Sequence, residues 1–249
     1  MGLTRGDRIG KGGYGEVFIA IPSNPAFNKM AVKSAPVENA ASLLIEYQIL
    51  EKFRDVTGVV QTFGPERREP ESGSGGGGRT YNLLMELAPR GSLVNLIGDY
   101  FRIGRRIAGI PETHIADFGL AMETWKLSPG SKRFTGTLRY MSPEVAVEGK
   151  VSPAMDIWRL GCTLVEMLTG NLSWSKFKED REVFMEIAAG RTPEIPEWMS
   201  VQGKDFLRKC LDEDGGRAMG GGGMEMQRSA VAVRPLQLFQ QGRAAALMC

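Results

Sequence analysis

The alternation of apolar and polar positions divides this chain into a strand-rich beginning and a helix-rich remainder. Over residues 7–33, short apolar runs such as 16–20 and 30–32 are separated by Gly, Pro and Asn, which predicts three strands of an antiparallel sheet. Apolar residues then recur at helical spacing from a cap at Asn39 to about Phe53, so we expect a helix packed on that sheet. Its predicted apolar face consists of Ala40, Leu43, Leu44, Tyr47, Leu50 and Phe53.

Two further strands are predicted over 59–63 and 81–87, and the glycine-rich segment 71–78 between them has the composition of a flexible loop. Beyond them the pattern becomes helical, most clearly over 153–169 and 203–211. The predicted fold class is therefore α+β, with a β-rich region that contains one helix followed by a mainly helical region.

Composition sets the predicted domain boundaries. We expect a first domain over 1–92 and a second over 93–213. From Asp212 onward, glycine runs and an aperiodic mixture of Met, Gln, Arg and Ala predict a mostly disordered tail over 214–249.

Charge and cysteine content exclude several classes of function. The 249 residues carry a formal net charge of +2, which gives no reason to expect nucleic acid or an anionic membrane surface as a partner. Three cysteines without C-x-x-C spacing argue against a disulfide framework or a zinc site and favour a reducing compartment, so we expect a cytoplasmic or nuclear protein. We expect no membrane insertion, because no run approaches 18 consecutive apolar residues.

A glycine-rich run near the start of the chain has the G-x-G-x-x-G spacing, with Gly10, Gly12 and Gly15. That pattern alone is weak, because dinucleotide-binding folds use it before a helix. Here the strand-like residues 16–19 follow it, so the glycines are predicted to lie in a hairpin. Backbone amides in such a hairpin can approach phosphates because no Cβ blocks them.

Two charged residues after the glycine run fit a phosphate-binding site. Lys33 ends the third predicted strand 18 residues after Gly15, and Glu46 lies midway along the predicted helix. Glu38 and Glu51 are alternative partners for the lysine, but Glu46 is preferred because apolar residues bracket it on the buried side. The alternative interpretation is that these residues are ordinary surface charges.

Together with an Asp-Phe-Gly motif at 117–119 and a Ser-Pro-Glu motif at 142–144, these features resemble a serine/threonine protein kinase. The chain is most similar to plant-type MAP kinase kinase kinases, over residues 4 to about 214 with one large gap. The resemblance implies a bilobal fold with 1–92 as the N-lobe and 93–213 as an incomplete C-lobe, and it implies binding of ATP and Mg²⁺.

The resemblance also implies roles for individual residues. Met85 would be the gatekeeper, Glu86 and Leu87 would offer backbone hydrogen bonds to adenine, and Asp117 would bind Mg²⁺. Asp156 would lie in a buried helix and tie down the catalytic loop. The implied ATP-binding set is Ile9, Gly10, Gly12, Gly15, Val17, Ala31, Lys33, Glu46, Met85, Glu86 and Leu87. The implied activation segment, 117–144, contains Thr135, Thr137 and Glu144.

The catalytic loop H-R-D-x-x-x-x-N of that family has no counterpart in the sequence. Only 23 residues separate Leu93 from Asp117, and a helix of about 20 residues would consume nearly all of them. The only histidine, His114, stands too close to Asp117 to belong to the loop. Asp99 is the one acidic residue that could stand for the catalytic base, although the residues after it do not fit the loop. We therefore expect little or no phosphoryl transfer from this chain.

Three hypotheses remain open from the sequence. The chain is a true kinase whose written sequence has lost a segment through exon skipping or a faulty gene model, a nucleotide-binding pseudokinase that acts as a scaffold, or a nonfunctional product. The resemblance implies a MAP kinase kinase-type protein as substrate or scaffold partner.

Overall fold

The computed structural model describes residues 2–12, 15–68, 79–102, 114–121 and 136–211, which group into two units. The first unit contains residues up to Ser92 together with His114–Ala121. The second unit contains the described residues 93–102 and 136–211. The segment His114–Ala121, assigned from the sequence to the helical region, thus belongs to the β-rich unit. The predictions for 71–78, Thr135 and 214–249 lie outside the described residues.

The first unit is built on a five-stranded antiparallel sheet in the order β1-β2-β3-β5-β4. The first three strands pair in chain order, whereas a segment that contains a helix follows the third strand, and the fifth strand then pairs between the third and the fourth. The strands are β1 (Leu3–Gly12), β2 (Gly15–Pro22), β3 (Met30–Pro36), β4 (Thr62–Arg68) and β5 (Thr80–Glu86). β3 lies at the centre of the sheet and is buried along nearly its whole length.

One helix, α1 (Ala41–Lys52), packs against this sheet. The prediction that Asn39 caps the helix is wrong, because Asn39 lies in a 3₁₀ turn and the residue at the cap is Ala40. Leu44, predicted on the buried face, is exposed, and Glu46 is buried in the row of Leu43 and Leu50. The burial of Glu46 agrees with its predicted place on the buried side of the helix, and only Leu44 was assigned to the wrong face.

The strand predicted over 59–63 begins later, at Thr62. Val59 instead forms an isolated parallel bridge with Ile115, and this bridge brings the segment His114–Ala121 to the sheet. The bridge is closed by backbone hydrogen bonds from Ile115 N to Gly58 O at 2.8 Å and from Val60 N to Ile115 O at 2.9 Å. The core of the first unit therefore includes Ala35, Leu43, Leu50, Val59, Val60, Tyr81, Leu83, Met85 and Ala116.

The second unit is helical in its described part. Its helices are α2 (Leu93–Arg102), α3 (Pro143–Glu148), α4 (Ala154–Thr169), α5 (Asp180–Ala188) and α6 (Val201–Leu211). α4 is buried along most of its length and packs against α6, where Gly161 approaches Leu211 so closely that a Cβ would lie 2.7 Å from that side chain. Among the described helices, none combines the length and apolarity that a membrane crossing requires. The two units confirm the predicted α+β class.

Candidate functional site

Three charged side chains meet in the first unit. The Lys33 Nζ atom lies 2.7 Å from Oε2 of Glu46 and 2.7 Å from Oδ1 of Asp117. The Lys33 and Glu46 side chains are 4% and 0% exposed, and the Asp117 side chain is 20% exposed. One ammonium group thus bridges a fully buried carboxylate and one that reaches solvent.

Each member of this triad comes from a different element. Lys33 lies on the central strand β3 opposite Val17 of β2 and Leu83 of β5, so its backbone is held between two paired strands. Glu46 projects from the buried face of α1. Asp117 follows the Val59–Ile115 bridge by two residues and adopts the left-handed conformation, with φ 63° and ψ 66°.

The charges of the three side chains and their burial together shift the pKa values of Lys33 and Glu46. Burial by itself lowers the pKa of Lys33, but the carboxylates of Glu46 and Asp117 outweigh that effect and hold the pKa above the ordinary lysine value. For Glu46, burial dominates and raises the pKa of the carboxyl, the negative charge of Asp117 adds to the rise, and Lys33 offsets only part of it. The lysine is consequently a fixed cation at neutral pH.

The turn after Asp117 is attached to α1. The Phe118 N–H donates to Oε1 of Glu46 at 3.2 Å, so Glu46 binds both the lysine and the backbone beside Asp117. The Phe118 ring also stacks on Phe53, with the ring centroids 5.9 Å apart. Sequence reasoning missed both contacts, because nothing local in the sequence links α1 to a residue so distant along the chain.

The glycine run forms the hairpin between β1 and β2, as predicted. Gly10 is the partner of Val17 and Gly12 is the partner of Gly15 in the strand register. Gly15 has φ 143°, and a Cβ there would lie 2.6 Å from the carbonyl oxygen of Ser34. Glycine is therefore required at this position by backbone conformation and by close approach to β3.

The predicted adenine-binding residues Glu86 and Leu87 lie at the end of β5. Of the other residues in the predicted ATP-binding set, Ala31 on β3 is paired with Met85 on β5 and both are buried, whereas Ile9 on β1 is exposed. The Glu86 N–H donates to Gln61 O at 2.9 Å, so that amide is already hydrogen-bonded within the protein and is not available to a ligand. Leu87, just after β5, is half-buried.

The side chain of Glu86 connects three segments of the first unit. Its Oε2 accepts a hydrogen bond from the Gln61 N–H at 3.3 Å, and its Oε1 lies 3.5 Å from Nδ1 of His114. The single histidine is thus half-buried beside Glu86.

The second unit holds the other predicted residues. Asp99 lies on α2 with an exposed side chain whose Oδ1 is 3.3 Å from Nη1 of Arg102. This is the geometry of a surface ion pair and gives no support to a role as catalytic base. Thr137 is exposed just before a 3₁₀ turn, and Glu144 is half-buried at the start of α3. Asp156 lies in the largely buried helix α4, as the resemblance implied, but its own side chain is 73% exposed and pairs with Arg159 one turn along the helix.

Two residues just after Thr137 anchor this segment, and the sequence analysis did not identify them. Arg139 donates to three backbone carbonyls within 173–177 at distances between 3.1 and 3.3 Å. The buried Tyr140 hydroxyl lies 2.8 and 2.9 Å from the two carboxylate oxygens of the buried Glu166. The segment that carries Thr137 is therefore held at its C-terminal end by charged hydrogen bonds.

Comparison with protein families and with curated proteins gives consistent matches. Residues 105–219 match the protein kinase domain. Mitogen-activated protein kinase kinase kinase 20 of Arabidopsis thaliana is 32% identical over 259 residues, a span that covers 86% of this chain and 74% of that protein. Mitogen-activated protein kinase kinase kinase 18 of the same plant is 30% identical over 251 residues, with 86% of this chain and 73% of that protein covered.

A human relative matches a shorter part of the chain. Human mitogen-activated protein kinase kinase kinase 5 is 39% identical over 103 residues, which is 40% of this chain and 8% of that protein. The alignment with the first plant relative spans 259 residues, which exceeds the 249 residues of the chain, so that relative has residues without a counterpart here.

Proposed function

Because this chain belongs to the protein kinase family and resembles serine/threonine MAP kinase kinase kinases, we propose that it binds ATP and Mg²⁺ through its first unit, with little or no phosphoryl transfer. The observation that carries the proposal is the triad in which Lys33 contacts both Glu46 and Asp117 at 2.7 Å. In protein kinases the pairing of this lysine with the helix glutamate and the placement of the Asp-Phe-Gly aspartate are both required for function.

The residues of the triad fit the chemistry of a magnesium nucleotide. Lys33 is held as a cation by two carboxylates, which suits a group that contacts the α and β phosphates. Asp117 presents a partly exposed carboxylate, and carboxylate oxygen is the protein ligand that Mg²⁺ prefers. When bound, Mg²⁺ would neutralise charge on the phosphates, while Glu46 would keep Lys33 directed at them.

Weak or absent transfer is proposed because the sequence offers no residues for the catalytic loop. Between Leu93 and Asp117 the one aspartate is Asp99. This residue lies on α2, in an ion pair with Arg102. Without an aspartate to orient the acceptor hydroxyl and an asparagine for the second Mg²⁺, a kinase loses two parts of its catalytic machinery. The unmatched residues of the longer plant relative support a segment missing from this chain.

Ligand-dependent thermal stability tests the binding half of the proposal. Mg²⁺ with ATP should raise the melting temperature of the full chain, since a ligand that binds only the folded state stabilises it. Asp117→Asn should remove the part of the shift that depends on Mg²⁺, whereas Asp7→Asn, at an exposed position of β1, should leave it unchanged. Absence of any stabilisation by ATP at millimolar concentration would refute nucleotide binding.

A radiolabelled transfer assay tests the second half. We expect no incorporation of phosphate into the chain or into a MAP kinase kinase-type protein above the level of an Asp117→Asn control. Incorporation that is clearly above that control would show that the chain retains a working catalytic loop.

A scaffold role is the second candidate, because a chain that keeps the Lys33, Glu46 and Asp117 triad without catalytic-loop residues could bind a partner without modifying it. In that case a MAP kinase kinase-type protein would bind the chain without being phosphorylated by it. Co-purification of the two proteins, compared with and without Mg²⁺ and ATP, checks this candidate, and the absence of a complex at micromolar concentrations would contradict it.

A further inference from the structure

Helix α5 of the second unit carries apolar residues on two sides. Val183 and Ile187 lie one turn apart on its inner side and are fully buried. Phe184 and Met185, which lie between them in the sequence, are 36% and 61% exposed. A surface helix normally has one apolar stripe that faces the core, and apolar residues on a second side are typical of a contact surface when they adjoin a groove.

Met185 lines such a groove, which is open to solvent and has a volume of about 460 Å³. We call it the α5 groove, and its lining residues are Phe177, Arg181, Glu182, Met185 and Glu186. Phe177 precedes the helix and is half-buried, with its ring centroid 6.4 Å from that of the buried Trp174. The Phe177 carbonyl also accepts a hydrogen bond from Arg139 at 3.3 Å, so this side of the groove is fixed in place.

The acidic residues at the α5 groove already have partners within the chain. Glu179 and Glu182 form a capping box with the backbone at the start of α5. Both carboxylate oxygens of Glu186 bind Arg191, at 2.9 and 3.0 Å. The exposed Asp180, just outside the groove, lies 3.9 Å from the Arg139 guanidinium. These pairings offset the negative charge on this side of the unit.

The cations at the same place are not paired in this way. The side chains of Lys178 and Arg181 are exposed, and neither has an ion pair or hydrogen bond within the described part of the chain. Arg181 lies one turn before Met185, so the guanidinium and the thioether are neighbours on one side of α5. The α5 groove therefore combines an apolar surface with a cation that is available to a partner.

We propose that the α5 groove binds a segment of a partner protein in which a large apolar side chain stands next to acidic residues. The apolar side chain would cover Met185 and Phe177, and a carboxylate would bind the Arg181 guanidinium. Methionine adapts to side chains of different shape, which suits a surface of this kind. A basic segment would be repelled by Arg181 and Lys178. This inference goes beyond the proposed nucleotide binding, because the residues of the groove belong to the second unit and those of the triad to the first.

Selection from a phage-displayed library of random dodecapeptides tests the chemistry of the partner. With the full chain as the immobilised target, the selected peptides should combine Leu, Phe or Met with Asp or Glu. The same selection on Arg181→Glu should lose the acidic residues, because the substitution reverses the charge beside Met185. A basic or uncharged consensus from the wild-type chain would overturn the proposed chemistry.

Fluorescence anisotropy with the peptide selected most often tests the location. Arg181→Glu should weaken binding at least about tenfold, whereas Arg181→Lys, which keeps the charge, should weaken it much less. Met185→Ala should weaken it about 5- to 30-fold, the range for truncation of a central contact residue. The matched controls are Arg208→Glu and Val201→Ala, at exposed positions of α6, and they should leave the affinity within about twofold of the wild type.

Each outcome bears on the α5 groove itself. Because Arg181 and Met185 are exposed, their variants should keep the wild-type melting temperature, and a loss of binding then reports a lost contact. Equal weakening by the α6 controls would place the peptide elsewhere, and a library that yields no peptide above background would overturn the docking surface. The affinity should be the same with and without Mg²⁺ and ATP. If the wild-type chain binds no nucleotide, the proposed function fails while the peptide measurements still decide this inference.

Discussion

Replacement of Lys33 by methionine should destabilise the first unit strongly even in the absence of nucleotide. The substitution leaves the fully buried Glu46 carboxylate without its cationic partner and removes two hydrogen bonds of 2.7 Å from the lysine. Breaking a buried ion pair on one side costs about 3–5 kcal/mol, because the remaining charge stays desolvated. Since a domain is stable by only about 5–15 kcal/mol, the loss would be a large fraction of the total.

A second substitution distinguishes charge burial from lost packing. Glu46→Gln in the Lys33→Met background removes the unpaired charge but keeps an acceptor for the Phe118 N–H. It should recover about half of the lost stability, since a neutral buried amide costs less than a buried carboxylate. The exposed Lys29→Met is the matched control and should change stability by less than about 0.5 kcal/mol.

Hydrogen exchange measured by mass spectrometry on α1 and β3 reports the opening free energy of this unit directly. The assay is local, so unfolding of the second unit does not obscure the result. A Lys33→Met variant within about 1 kcal/mol of the wild type would show that the buried pair is not formed in solution. A double variant no more stable than the single one would refute the argument from charge burial.

The remaining predictions concern the second unit and the gene product. Tyr140→Phe should lower its unfolding free energy by about 1.5–3 kcal/mol in urea, because the hydroxyl donates to the buried Glu166 carboxylate; an unchanged midpoint would contradict this. Ser142→Ala should raise the melting temperature, because the Ser142 hydroxyl is buried with no hydrogen-bond partner among the described residues; a lower melting temperature would refute the reasoning. Burial raises the pKa of Cys210 to about 12 from an ordinary 9.0 and raises the pKa of Cys162 as well. The folded state therefore favours the protonated thiols, and this contribution to stability is complete below pH 9 and is lost as the pH rises toward 12. Iodoacetamide at pH 8.5 should label these two cysteines only after unfolding, as peptide mass spectrometry can show. The native gene product should have a mass near 27.3 kDa if the short sequence is genuine; a product several kDa heavier would restore the full kinase hypothesis.

The positions of most strands and helices were largely accessible from local pattern. Three strands and a helix in the first region, and the helices near 153–169 and 203–211, follow from apolar periodicity with errors of a few residues. The strand predicted over 59–63 was displaced because Val59 finds a partner in Ile115, far along the chain. Periodicity carries no information about such a partner.

The buried charges were the hardest features to place. Leu44 was predicted on the inner face of α1 and is exposed, whereas Glu46 is buried, as its apolar neighbours indicated, and the pairing with Lys33 compensates for its charge. Asp156 shows the opposite outcome, since it lies on the largely buried helix α4 but its side chain is exposed and paired with Arg159. In both cases the place of the charged side chain depends on its ion-pair partner, Lys33 for Glu46 and Arg159 for Asp156, rather than on the residue type.

The sequence by itself determined which chemical groups the chain possesses: a glycine hairpin, the residues of a phosphate-binding triad, and no aspartate and asparagine spaced for a catalytic loop. Motif spacing and local periodicity determine these features, because each depends on neighbours along the chain. Only the tertiary structure decided that Glu46 and Phe53 hold Phe118, and that Asp117 takes a left-handed turn beside Lys33. Those contacts join residues more than 60 positions apart, and packing around the central strand, not local sequence, brings them together.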